Sequence, residues 1–149
     1  MASLPNEQES MMTTTLHHAI KIAASRRNVF QALADAGKMA AWHLGGIEGE
    51  IAVGSTLYLN PKPGLRFGWT TDEIVTNERL RQICVEGPGS SVGKILTVTL
   101  SDAGKDGTLL KLTEGGWPDS DANLPFCNTR WGEVLLRLKE YVEKAPHAD

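Results

Sequence analysis

The chain has 149 residues, 22% of them charged, and a formal net charge of -3. That length suits one domain, since domains cluster near roughly 100 to 150 residues and one core of that size buries most of the unfolded surface. The slight acidic balance argues against a polyanionic partner such as DNA or RNA, and no run approaches the about 20 apolar residues that span a bilayer.

The opening segment, MASLPNEQESMMTTT, has neither the basic start nor the apolar core of a secretory signal, so a cytoplasmic protein is expected. Residues 1–14 carry no hydrophobic periodicity and are read as a disordered leader, 15–144 as a single domain and 145–149 as a flexible tail. Cys84 and Cys127 lack C-x-x-C spacing, which fits separate buried thiols better than a disulfide framework.

From Leu16 to Ala24 the residues alternate as in a strand, with His17 and His18 on opposite faces. Ser25 can cap a short helix with an apolar stripe of Val29, Phe30 and Leu33, and Asp35 a second, AGKMAAW, that places Met39 and Trp42 on one face. Beyond Trp42, glycines and prolines punctuate short runs rich in Ile, Val, Leu and Thr, the pattern of an antiparallel meander. Strands are expected near Ile47–Ile51, Ser55–Asn60, Leu65–Thr76, Leu80–Glu86, Lys94–Ser101 and Thr108–Glu114. Connections this short favour neighbouring antiparallel strands.

Pro125 suits the first position of a final helix, where its missing N–H would be unpaired anyway. From there to Lys144, Cys127, Trp131, Val134, Leu135, Leu138, Tyr141 and Val142 fall within an arc of about 120 degrees, so one side must be buried. Leu136 lies nearly opposite. A curved antiparallel sheet wrapped around that helix satisfies the element order, because the two apolar surfaces bury each other. The expected fold is therefore α+β, with six to seven strands, one long C-terminal helix and two short helices after the first strand.

Three segments carry a family resemblance: IKIAASRRNVFQALADAGKMAAWH, GTLLKLTEGGWP and NTRWGEVLLRLKEYVE. They resemble the entry strand and helix, the last strand with its loop, and the closing helix of the START-like (helix-grip, SRPBCC) superfamily. The branch they resemble is named for homologues of the heat-shock-chaperone ATPase activator. The resemblance implies a hydrophobic cavity between sheet and helix that holds a small apolar or aromatic ligand. It also implies two alternatives, a cyclase- or hydrolase-like enzyme using the same cavity and a protein-interaction module like the chaperone activator. The expected state is monomer or homodimer, with no cofactor.

The residues expected to line the cavity are Trp42, Trp69, Leu112, Glu114, Asn128, Trp131 and Leu135. Trp42, Trp69, Trp117 and Trp131 are the heaviest apolar investment in the chain, suited either to core packing or to an aromatic-lined site. Glu114 shares the strand parity of Leu110 and Leu112, so it either continues an inward face, where burial would raise its pKa, or sits in water at a frayed rim. Family members often carry histidine near this point. Asn128 could hold a ligand's carbonyl or a loop backbone group. Tyr58, Arg66 and Gln82 are further strand residues that could point inward. His43 is read as a base at a cavity mouth or as a solvent-facing loop residue. The histidines lack ligand spacing for a metal. GPGSSVGK, Gly87–Lys94, looks like a phosphate loop, but the spacing and the strand expected after it make it a hairpin loop.

Overall fold

The computed structural model describes residues 12–144. The expected leader, apart from its last residues, and the expected tail lie outside that range. Strand β1 spans Thr13–Ile22, so it begins earlier and ends sooner than the alternation suggested. Ser25 Oγ accepts the Asn28 amide at 3.2 Å and opens α1, Arg26–Ala34, which buries Val29, Phe30, Ala32 and Leu33. Asp35 closes that helix through its own amide and opens α2, Ala36–Trp42, by accepting the Lys38 amide at 3.1 Å. Both turns follow from short side chains that reach an otherwise unpaired N–H.

The meander follows as β2 (Gly46–Gly49), β3 (Thr56–Lys62), β4 (Leu65–Val75), β5 (Arg79–Glu86), β6 (Ile95–Asp102) and β7 (Thr108–Pro118). All seven strands form one curved antiparallel sheet in the order β1-β7-β6-β5-β4-β3-β2. β2 is shorter than expected, and Ile51 is buried outside it. β7 runs four residues past Glu114, because both neighbours continue beside it: Thr14 pairs with Trp117, Thr13 with Pro118, and Ile95 with Gly115.

The closing helix α3, Leu124–Lys144, starts one residue before Pro125, which still lies in the first turn where a missing N–H costs nothing. Its 21 residues are about 30 Å long at 1.5 Å each. Val134, Leu135, Leu138 and Val142 are buried against the sheet, while Trp131 and Tyr141 are partly buried and Leu136 is exposed. α3 crosses β1 and touches α1 and α2. Trp42 ties these helices together: its indole donates to the Ala32 carbonyl at 3.0 Å, and its own carbonyl accepts Arg137 Nε at 2.8 Å. No helix among the described residues is long and apolar enough to cross a membrane.

Candidate functional site

Regular alternation carries Thr108, Leu110, Leu112 and Glu114 to the buried face of β7. Continued unchanged, it would turn Trp117 outward. Instead two residues, Gly115 and Gly116, stand opposite Thr15 of β1 alone, and Gly116 adopts φ +93. This bulge inserts one residue and reverses the parity, so Glu114 and Trp117 share the inner face.

Glu114 is only 5% exposed. Its Oε1 accepts the Trp117 indole N–H at 3.1 Å and the Trp131 indole N–H at 2.9 Å, which joins the end of the sheet to α3. Burial pushes its carboxyl pKa above the ordinary 4.5, with the two indoles and the charges of Lys94 and His18 acting the other way. The frayed-rim reading is thereby overturned: pairing on both sides of β7 keeps the strand intact and the carboxylate inside.

Lys94 is 3% exposed and shares the parity of Leu96, Val98 and Leu100. Its ammonium sits 3.9 Å from the Trp117 ring centroid and donates to Ser90 Oγ at 2.9 Å and to the Ser90 carbonyl. Ser90 Oγ donates in turn to Asp121. The Gly87–Lys94 loop is thus pinned to the β7–α3 connection, and β6 follows it as a strand. Its lysine serves an indole face and not a phosphate. On β1, His18 Nε2 is buried with no hydrogen-bond partner among the described residues.

Next to Glu114 lies an apolar chamber of about 80 Å³, walled by Leu59, Phe67, Trp69, Trp131 and Val134. A deeper void of about 40 Å³ shares Leu59, Trp69, Trp131 and Val134 with it and is also bounded by Trp42, Leu112 and Leu135. Outward, the chamber shares Phe67, Cys127 and Arg130 with a surface cleft of about 250 Å³. Their shared lining residues order the three spaces from the surface cleft inward, with Phe67, Cys127 and Arg130 at the neck between cleft and chamber.

Six of the seven expected lining residues border the two inner spaces: Trp42, Trp69, Leu112, Glu114, Trp131 and Leu135. Asn128 does not. It is exposed, because one residue beyond Cys127 turns the helix by about 100 degrees and carries the amide off the facing side. Gln82 points inward and donates to Thr71 Oγ1 at 3.3 Å, while the Arg66 guanidinium stacks over Tyr58 at 4.0 Å beside other exposed groups.

His43 borders both inner spaces and is no solvent-facing loop residue. Its Nδ1 accepts the Leu44 amide at 2.8 Å, which outweighs the 3.2 Å contact to the Leu44 carbonyl and leaves Nε2 as the N–H donor. Burial pushes its pKa down, the Leu44 backbone opposes that shift, and the charges of Arg137 and Arg130 act with burial. Cys84 and Cys127 are free thiols whose pKa values burial raises, with the Glu114 charge adding to the effect. Among the described residues, no group of three or more His, Cys, Asp or Glu could hold a metal ion.

Periodicity missed the Lys94, Arg130 and His18 contributions. The parity of Lys94 with Leu96 and Val98 was the available signal, and inward parity likewise marks His18 beside Leu16 and Ile20.

A seven-stranded antiparallel sheet closed by one long C-terminal helix, with two short helices after the first strand, defines a helix-grip domain of the START-like superfamily. The chain belongs to the family described as Activator of Hsp90 ATPase homolog 1-like protein, which matches residues 23–143. No functionally curated protein matches the sequence. Among solved structures, the Aha1 dimer from Colwellia psychrerythraea is similar with TM-score 0.80 and 24% identity over 90% of this chain and 99% of that one. The protein MLL2253 from Mesorhizobium loti gives TM-score 0.77 at 17% identity, covering 90% and 100%. CalU16 from Micromonospora echinospora gives 0.73 at 20% identity, covering 89% and 78%.

Proposed function

We propose that this protein is a small-molecule-binding domain that encloses an apolar, ring-bearing ligand between sheet and helix. One observation carries the reading: a buried carboxylate, with both indole bonds on a single oxygen, stands in a mainly apolar chamber whose other polar lining groups are His43 and Arg130. The second oxygen, Oε2, receives neither indole and is the group available to a ligand's hydroxyl or carbonyl. Ligand sites combine apolar walls with a few placed polar groups in this way.

Size decides what class of ligand fits. An apolar cavity of about 150 Å³ accepts benzene, whereas drug-sized ligands need about 300 to 1,000 Å³. The inner spaces, about 80 and 40 Å³, fall below even the first of these, so a single ring is the most they take as they stand, and any larger part of a ligand lies in the outer cleft of about 250 Å³. Native mass spectrometry of the purified protein, before and after denaturation, tests the reading. A small mass that travels with the folded protein supports it. Absence of any such mass, together with no uptake of a hydrophobic probe, would sink it. The same spectra decide between monomer and homodimer, the second of which the dimeric relative supports.

A second reading is cyclase- or hydrolase-like catalysis in the same cavity. It is favoured by the raised pKa of Glu114, since burial makes this carboxyl hold its proton more tightly than an ordinary one, and an acid so placed can donate to a substrate oxygen. Turnover of a panel of aryl esters or cyclisable polyketones that is lost in Glu114→Gln would support it; turnover unchanged in that variant would exclude Glu114 as the acid. The family description supports a third reading, stimulation of the heat-shock chaperone's ATPase, which a pull-down with an ATPase assay decides.

A further inference from the structure

We infer that the ligand of this site carries an anionic group, held in the outer cleft by Arg130 and Lys62, while its apolar body passes the Cys127 neck and lies between Trp69 and Trp131. This rests on the ligand-binding reading above and adds the ligand's charge and orientation.

Arg130 borders both the inner chamber and the outer cleft, and Lys62 borders the cleft from the end of β3. Among the described residues they are the only charged side chains lining that cleft, and no acidic one lines it. The chain as a whole carries a net charge of -3, so a purely cationic cleft runs against its average. Arg26, Arg66, Arg79 and Arg81 each reach a carboxylate within 3.5 Å, whereas Arg130 and Lys62 have no ion pair and no side-chain hydrogen bond among the described residues. A guanidinium offers a planar fork that matches a carboxylate or sulfonate. Glu114 at the inner end fixes the orientation, because an anion placed beside it would meet a buried acid of the same sign. The anionic end therefore points outward, where two unpaired cations stand.

The test uses benzoate and its neutral counterpart benzamide, which share one ring and differ in charge. Binding is read by quenching of tryptophan fluorescence and by calorimetry, in the wild type and in the double variant Lys62→Gln/Arg130→Gln. Both substituted residues are exposed, so the fold is unaffected. The carboxylate should bind the wild type about tenfold more tightly at low ionic strength, equivalent to about 1.4 kcal/mol. That advantage should shrink near 1 M salt, where the screening length falls to about 3 Å. It should vanish in the double variant.

Equal binding of the two probes to the wild type, or a carboxylate advantage that survives in the double variant, overturns the inference and leaves the ligand-binding reading intact. Binding of neither probe overturns both.

Discussion

Two substitutions at Glu114 separate what its charge costs from what its oxygen holds. Glu114→Gln keeps an acceptor for both indoles and removes the buried charge. Glu114→Met keeps the length of the side chain and removes the acceptor. In the methionine variant, the indole of Trp117, a residue only 4% exposed, loses its partner, as does that of the partly buried Trp131. A buried donor left unpaired costs about 1–3 kcal/mol. With Trp117 counted in full and Trp131 at about half, Glu114→Met should be roughly 2–4 kcal/mol less stable than Glu114→Gln.

The charge has its own signature in pH. Because the folded carboxyl pKa lies above the ordinary 4.5, the folded protein binds this proton more tightly than the unfolded chain does. Wild-type stability therefore falls as pH rises from 4.5 through the raised folded value, and this contribution is flat beyond that value. Glutamine has no such slope, so the advantage of Glu114→Gln over wild type should grow across that window and shrink as pH is lowered. Urea unfolding followed by far-ultraviolet circular dichroism measures both effects without depending on indole emission. Equal stability of the methionine and glutamine variants would refute the role of the indole bonds. A wild-type-to-glutamine difference that does not change with pH would refute the buried charge.

Cys127→Phe fills the neck between cleft and chamber from a half-buried position, so it should slow or abolish probe uptake while changing stability by less than about 1 kcal/mol; stopped-flow fluorescence reads the association rate. Gly116→Ala meets no clash, its nearest contact being 3.5 Å to Lys94 Cα, but φ +93 disfavours any side chain. It should cost about 1–2 kcal/mol and alter the near-ultraviolet dichroism of Trp117; a neutral result in urea unfolding would show that the bulge adapts freely. Hydrogen exchange should divide α3 in two, since its fully buried residues begin at Val134. Amides at 128–132 should exchange at least roughly tenfold faster than those at 135–142, and uniform protection along the helix would contradict that division.

The parts of this fold that were legible in the sequence depend on local chemistry. Ser25 and Asp35 cap because a short oxygen-bearing side chain reaches an amide three residues on, and no distant partner is needed. The meander was legible because its turns are written in Gly, Pro, Asn and Asp. What escaped depends on neighbours. Thr13 and Thr14 carry no apolar alternation and become strand only because β7 lies alongside. Gly115 and Gly116 read as a strand ending, yet here they form the bulge that brings Trp117 to Glu114. Lys94 had inward parity, but a lysine is placed outside by default until an indole face and the Ser90 oxygens are in position to receive it. Asn128 was placed inside from its nearness to Trp131 in sequence, while the helix turns it out.

The distribution of packing along α3 explains why a space exists where it does. From Val134 to Val142 the helix presents four buried aliphatic residues to the sheet and α1; Val134 and Leu135 still border the inner spaces, whereas Leu138 and Val142 border neither. Before Val134 the helix has no fully buried side chain, and its link to the sheet there is the Trp131 indole bound to Glu114. An indole is large and rigid, and its bond to a carboxylate has a set length, so this end of the helix is propped at the reach of two long side chains. Close aliphatic contact is thereby withheld. The same pair that places a carboxylate at the chamber therefore also props the chamber open, through the hydrogen bond between β7 and α3.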